Sequence, residues 1–165
     1  MTAAQPRVLI LSTAASQTGF MSFGLLLDTI AMDKNEVIIR RWFSEVWNDG
    51  DASVIDELMH PDTVAEGLLP DRKHEGREEF KKFHKSMSSA FSDFQITVDK
   101  VVSAGDNVKG SWHGTVVHSG VFQGRAATGK RVQIRGTYEV TILEGKLVNG
   151  KNQWNYEEVL QQIDA

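Results

Sequence analysis

A chain of 165 residues, 41% hydrophobic and 24% charged, has room for one packed domain and little besides. Its net charge of −4, with Lys and Arg scattered and the pairs Arg40-Arg41 and Lys81-Lys82 on expected helix faces, leaves no basic stripe for nucleic acid. The absence of cysteine removes disulfides, thiol nucleophiles and thiolate metal sites, and His60, His74, His84, His113 and His118 form no HExxH or His-x-His spacing that would hold zinc.

Residues 1–31 carry one basic residue, Arg7, and one acid, Asp28. The apolar runs Val8-Leu9-Ile10-Leu11 and Leu25-Leu26-Leu27 flank a Ser/Thr/Gly-rich middle. A secretory leader wants one unbroken apolar core of about 7–15 residues, and a membrane helix wants about 20. Met32 stands directly before a helix start, so residues 1–32 read as an extension upstream of a domain over 33–165. A cleaved leader and an integral first segment are the alternative readings. The domain itself reads as cytoplasmic, with no membrane contact.

Asp33-Lys34-Asn35-Glu36 has the spacing of a capping box, and Ile38, Trp42, Val46 with Ile39, Phe43, Trp47 give a wide apolar helix face. Asn48-Asp49-Gly50 should stop that helix. A second short helix is expected over Ala52–Met59, ended by His60-Pro61-Asp62. Thr63–Leu69 reads as a strand and Pro70–Glu75 as a polar loop. After Gly76 a third helix lines up Phe80, Phe83, Met87 and Phe91.

From Phe94 the period becomes two. Phe94, Ile96 and Val98 alternate with polar residues, Gly105-Asp106 marks a turn, and Val108–His118 forms a long strand. A loop over Ser119–Gly129 leads to the alternation Val132, Ile134, Gly136, Tyr138, Val140, Ile142. Glu144-Gly145 is a hairpin turn, a strand runs from Lys146 to Trp154, and a helix over Tyr156–Ile163 closes the chain. Helices first and an antiparallel meander after predict an α+β domain. Glycines 110, 114 and 136 inside long strands predict sharp curvature. The expected architecture is a cone: a curved, mainly antiparallel sheet with three N-terminal helices over its concave face.

Several of these segments carry a family likeness. The run from Glu36 to Asp51, Val54-Ile55-Asp56-Glu57-Leu58 with Pro61-Asp62, and Gly76-Arg77-Glu78-Glu79-Phe80 resemble SnoaL-like polyketide and ester cyclases. So do Ala90-Phe91-x-Asp93-Phe94, His118-Ser119-Gly120-Val121-Phe122-Gln123-Gly124 and Thr128–Val132. Glu144-Gly145-Lys146-Leu147-Val148 and Leu160-Gln161-Gln162 extend the match to about residues 33–163. The resemblance implies a cone of the nuclear transport factor two-like type, often oligomeric. It also implies cofactor-independent and metal-independent aldol ring closure, in which a side-chain base removes a proton and hydrogen-bond donors hold the enolate.

In those cyclases the acid/base Asp sits on the last strand, at the position that Asn152 occupies here, and a second acid falls at Asn155. An amide accepts no proton at neutral pH, so Asn152 is expected to orient a carbonyl. Alternation directs His118 and Tyr138 toward the cone, the first a candidate base and the second a donor to an oxyanion. Glu66 is the carboxylate that could substitute as base, and Trp112, Trp154 and Asn155 are expected substrate contacts. Each has a plainer reading: a strand-terminal histidine, a core tyrosine, a solvated glutamate, core walls and a turn residue. His113 faces the other way and is set aside.

The leading expectation is therefore a cofactor-independent cyclase or isomerase acting on a hydrophobic, carbonyl-bearing small molecule. An epoxide or ester hydrolase of the same fold is one alternative. The other is a non-catalytic module that binds a small molecule or dimerises. A homodimer through the outward sheet face is expected in either case.

Overall fold

The computed structural model describes residues 34–165. Asp33, the expected helix cap, and the extension over 1–32 lie outside them. The first helix, α1 (34–48), is α-helical to residue 41 and continues as a π-helix over Trp42–Asn48. Its wider winding is visible where the Asp49 N–H donates to the Ser44 carbonyl at 2.9 Å. Trp42 and Trp47, five residues apart, consequently pack on the same ring, Phe80, at centroid distances of 5.2 and 6.3 Å. The chain then turns at Gly50, whose φ of +69° suits glycine. Asn48 fixes the helix end to the sheet, donating to the Ile96 carbonyl at 2.9 Å and accepting from the Ile96 N–H at 2.8 Å.

Helix α2 (Ser53–Leu58) buries Val54, Ile55 and Leu58, as its spacing predicts. It ends before Met59 because Met59 opens β1 (Met59–Leu69), paired in parallel with Leu147 of the last strand. Pro61 falls in the unpaired stretch between Met59 and Val64, where its missing N–H removes no ladder bond. The polar run after Pro70 forms a strand rather than a loop: β2 (Arg72–Glu75) turns back through Asp71 and pairs antiparallel with β1. Its charged residues suit a sheet edge.

Helix α3 (Arg77–Ala90) buries Phe80, Phe83, His84 and Met87 and runs straight into β3 (Phe91–Ala104). Strands β4 (Asn107–His118), β5 (Arg131–Leu143) and β6 (Lys146–Trp154) complete the meander, and α4 (Tyr156–Asp164) follows. The sheet is six-stranded, mixed and open, in the order β2-β1-β6-β5-β4-β3. Glu144 and Gly145, both at positive φ, make the tight turn between β5 and β6.

The bending has a specific cause. Strand β3 slips register against β4 between Ser92 and Gln95 and again between Val98 and Lys100. Gly110 and Gly114 stand where these irregularities press in. A Cβ at Gly110 would lie 1.8 Å from the Lys100 carbonyl oxygen, and one at Gly114 would lie 2.2 Å from that of Gln95. The concave face that results buries Val108, Trp112, Val116 and His118 of β4 with Val132, Ile134, Tyr138 and Val140 of β5. The apolar sides of α1 and α3 cover it.

Candidate functional site

Between α1, α3 and the concave sheet face lies a cavity of about 110 Å³. The π-turn of α1 supplies Trp42, Phe43 and Trp47 to its wall, and α3 supplies Phe80, Phe83 and Met87. Trp112, Val116, Ile134 and Val140 form its sheet side. Strand β6 completes the lining with Leu147, Asn149, Gly150, Asn152 and Trp154. Thr63, Asn149 and Asn152 are the polar, non-aromatic side chains among the described residues of the lining, and no Asp, Glu, His, Lys, Arg or Tyr is among them.

Two of the polar groups are already engaged. The Thr63 hydroxyl donates to the Leu147 carbonyl at 2.5 Å, and the Trp154 indole N–H donates to the Leu68 carbonyl at 2.8 Å. The Trp112 indole N–H is buried and has no acceptor among the described residues. Asn152 faces Tyr138 across the β5–β6 ladder. Its backbone carbonyl takes the space that a side chain at Gly67 would fill, since a Cβ there would lie 1.8 Å away. Gly67, at φ +77°, thereby lets β1 pass close beside the last strand and directs Leu68 into the cavity wall.

The residues singled out from the sequence divide. Asn152, Trp112 and Trp154 line the cavity together. His118 lies on the concave face and is 0% exposed, but outside the lining. Its Nδ1 is 2.9 Å from the Thr128 hydroxyl, its ring packs on Phe91 at 5.6 Å, and its Nε2 has no partner among the described residues. Tyr138 also points inward, yet its hydroxyl donates to the Lys100 carbonyl at 2.8 Å. Burial pushes that hydroxyl up to about 12, so it stays protonated.

Glu66 bonds Lys73 at 2.9 Å, and this contact holds its carboxyl below the ordinary range, which makes it a weaker base. It lines a shallow groove on the other side of Asn152 and Trp154 from the cavity. Asn155 accepts from the Arg135 N–H at 2.9 Å and donates to the Gln133 carbonyl at 3.1 Å, fixing the start of α4 to β5. The cavity therefore does not gather His118, Tyr138, Glu66 and Asn155 with Asn152.

Sequence reasoning passed over the helix aromatics as a site. Trp42, Phe43, Trp47, Phe80 and Phe83 read as core stripes, and nothing in a periodicity separates a stripe that packs on protein from one that borders a void. The clue was the excess of large rings, five aromatic side chains on two facing helices. Among the described residues no group of three or more His, Asp or Glu is placed to hold a metal ion. No helix among them is long and apolar enough to cross a membrane.

An open, curved α+β sheet whose helices close an apolar cavity is the frame of a cyclase or isomerase of the nuclear transport factor two-like type. The chain belongs to the SnoaL-like polyketide cyclase family, whose model matches residues 37–163. Three solved structures show the same fold. A protein described as a SnoaL-like polyketide cyclase from Jannaschia sp. CCS1 is 24% identical at a TM-score of 0.74, over 81% of this chain and 94% of that one. AclR from Streptomyces galilaeus, described as a hydroxylase, is 25% identical at a TM-score of 0.71, over 81% of this chain and 82% of that one. A protein from Catenulispora acidiphila with a ketosteroid isomerase-like fold is 14% identical at a TM-score of 0.65, over 77% and 92% of the two chains. Among curated proteins none matches the chain.

Proposed function

We propose that the domain takes a compact hydrophobic molecule bearing a carbonyl into this cavity and favours its ring closure or isomerisation without a cofactor. The observation that carries this reading is an apolar lining without an acid or a base, in which a carboxamide, Asn152, stands at the position where the resemblance puts an acid. Confinement of a substrate in a reactive conformation supplies rate without any proton transfer. An amide N–H aimed at a carbonyl oxygen stabilises the negative charge that develops there. No side chain of the lining acts as the base; protons exchange with solvent. Use of His118 as base requires the substrate to reach a ring that lies outside the lining, and use of Glu66 requires it to leave Lys73.

The same lining favours a second reading, binding without turnover, because nothing in it titrates near neutral pH. Hydrolysis has less support, since activation of a water calls for an acid or base beside it. The expected homodimer through the outward face of β4–β6 belongs to this proposal and is read by analytical ultracentrifugation.

The test is a thermal-shift screen of aromatic polyketides and simpler carbonyl compounds against wild type and Asn152→Asp, followed by chromatography of every stabilising compound. Conversion by wild type supports the cyclase reading. Conversion by Asn152→Asp alone establishes a binding module on a cyclase frame. Stabilisation by none of the compounds overturns the proposal.

A further inference from the structure

The Trp112 indole is the one buried polar group of the cavity wall that the fold leaves without an acceptor. The residue is 9% exposed, and its Nε1 has no hydrogen-bond partner among the described residues. A buried N–H in that condition costs free energy, and such groups are rare in folded proteins and call for a partner or a role. The position of the ring is built into the sheet. Trp112 pairs with Gly136 across the β4–β5 ladder, and a Cβ at Gly136 would lie 2.7 Å from Cζ2 and 2.9 Å from Cε2 of the indole. The glycine is thus what allows the nitrogen-bearing edge to rest on β5. Gly136 in turn pairs with Trp154 of β6, and Tyr138, two residues on, pairs with Asn152. Trp112 on β4 and Asn152 on β6 accordingly occupy neighbouring rows of one concave face with β5 between them, and both residues line the cavity. Among the described residues the Asn152 carboxamide has no hydrogen-bond partner either, whereas Thr63 and Trp154 of the same wall are committed to backbone carbonyls.

We infer that the Trp112 N–H and the Asn152 carboxamide are a two-donor clamp for one carbonyl oxygen, and that the site selects flat, single-ring ketones over hydrocarbons of the same shape. A cavity of about 110 Å³, smaller than the roughly 150 Å³ of an apolar cavity that accepts benzene, limits the guest to one ring at most, with its substituent toward the opening. The wall around it is aromatic: Phe43 stands 5.8 Å from Trp112, centroid to centroid. This inference rests on the cavity being the ligand site.

The experiment measures the affinities of acetophenone and of α-methylstyrene, in which a methylene replaces the oxygen, for wild type and Trp112→Phe. The affinity ratio between the two compounds is compared across the two proteins, so their different transfer from water cancels. Loss of the N–H is expected to lower that ratio roughly tenfold. A ratio unchanged by the substitution overturns the clamp and leaves the ligand site standing. Failure of both compounds to bind wild type overturns the ligand site and the clamp with it. Should Trp112→Phe not fold, the ¹H–¹⁵N spectrum of wild type decides: the Trp112 indole proton is expected to move downfield with acetophenone and not with α-methylstyrene. Any other pattern overturns the clamp.

Discussion

Replacement of Gly110 by alanine should unseat the bend on which the cavity depends. A Cβ at that position would stand 1.8 Å from the Lys100 carbonyl oxygen and 2.4 Å from the Tyr138 hydroxyl. The first neighbour is backbone in a register-shifted stretch of β3, so it yields only if the strand moves. Forced overpacking of this kind costs about 1–3 kcal/mol. The second neighbour is the hydroxyl that donates to Lys100, and displacing it leaves two partly buried polar groups unpaired, about 1–3 kcal/mol more. The combined loss of roughly 2–6 kcal/mol corresponds to a fall in Tm of about 5–20 °C for a domain of this size. Gly150→Ala is the matched control. Its Cβ would meet only the Val140 Cγ1, at 3.3 Å, and it should cost no more than about 1 kcal/mol. Thermal denaturation followed by circular dichroism reads both. A Gly110→Ala midpoint no lower than that of Gly150→Ala would refute the claim that glycine is required there by the close approach of β3.

Tyr138→Phe should cost about 1 kcal/mol and leave ligand affinity and any turnover unchanged, because the hydroxyl is spent on Lys100. A selective loss of turnover would return it to the chemistry. Burial lowers the pKa of His74, which Arg72 lowers further, and burial likewise lowers that of His84. The unfolded imidazoles bind protons from about pH 6.5 downward while the folded ones resist. Stability should therefore be level above about pH 6.5 and fall as the pH drops from there toward the lowered folded-state values. Urea midpoints at neutral and mildly acidic pH measure this, and a flat profile counts against it. Asn155→Ala should cost about 1–2 kcal/mol and fray α4, seen as lost helical ellipticity, since it severs two bonds to the β5 backbone.

Where pattern alone decides, the sequence spoke clearly. The apolar stripe of α3 from Phe80 to Met87, the alternation of Val132 through Ile142 and the Glu144-Gly145 turn all stand where spacing puts them, whereas Phe91, expected at the end of that stripe, opens β3. Glycines 110 and 114 mark real bends because a neighbouring carbonyl occupies the room of a side chain. Strand β2 escaped notice because Arg72, Lys73 and Glu75 are an edge strand's residues, and a charged edge strand looks like a loop. The π-turn of α1 escaped because Trp42 and Val46 fit an ordinary helical spacing equally well.

The site was harder to read for a definite reason. Alternation tells which face of a sheet a residue occupies, and it placed His118 and Tyr138 on the concave face correctly. It does not tell how far along the cone a residue lies, or what its polar atom finds there. His118 sits at the end of β4 against Thr128, and Tyr138 reaches a carbonyl of β3. Asn152 was found through the family likeness rather than through any physical pattern. The unpartnered state of the Trp112 N–H is a property of packing and has no trace in the sequence.

The most direct measurement of where ligands bind is a titration of Val116→Phe with acetophenone beside wild type. Val116 is 1% exposed and lines the cavity, so the added ring occupies the space proposed for the ligand. Affinity should fall roughly tenfold or more while the fold, followed by circular dichroism, stays intact. Unchanged affinity in the folded variant would contradict a ligand site between α1, α3 and the concave sheet.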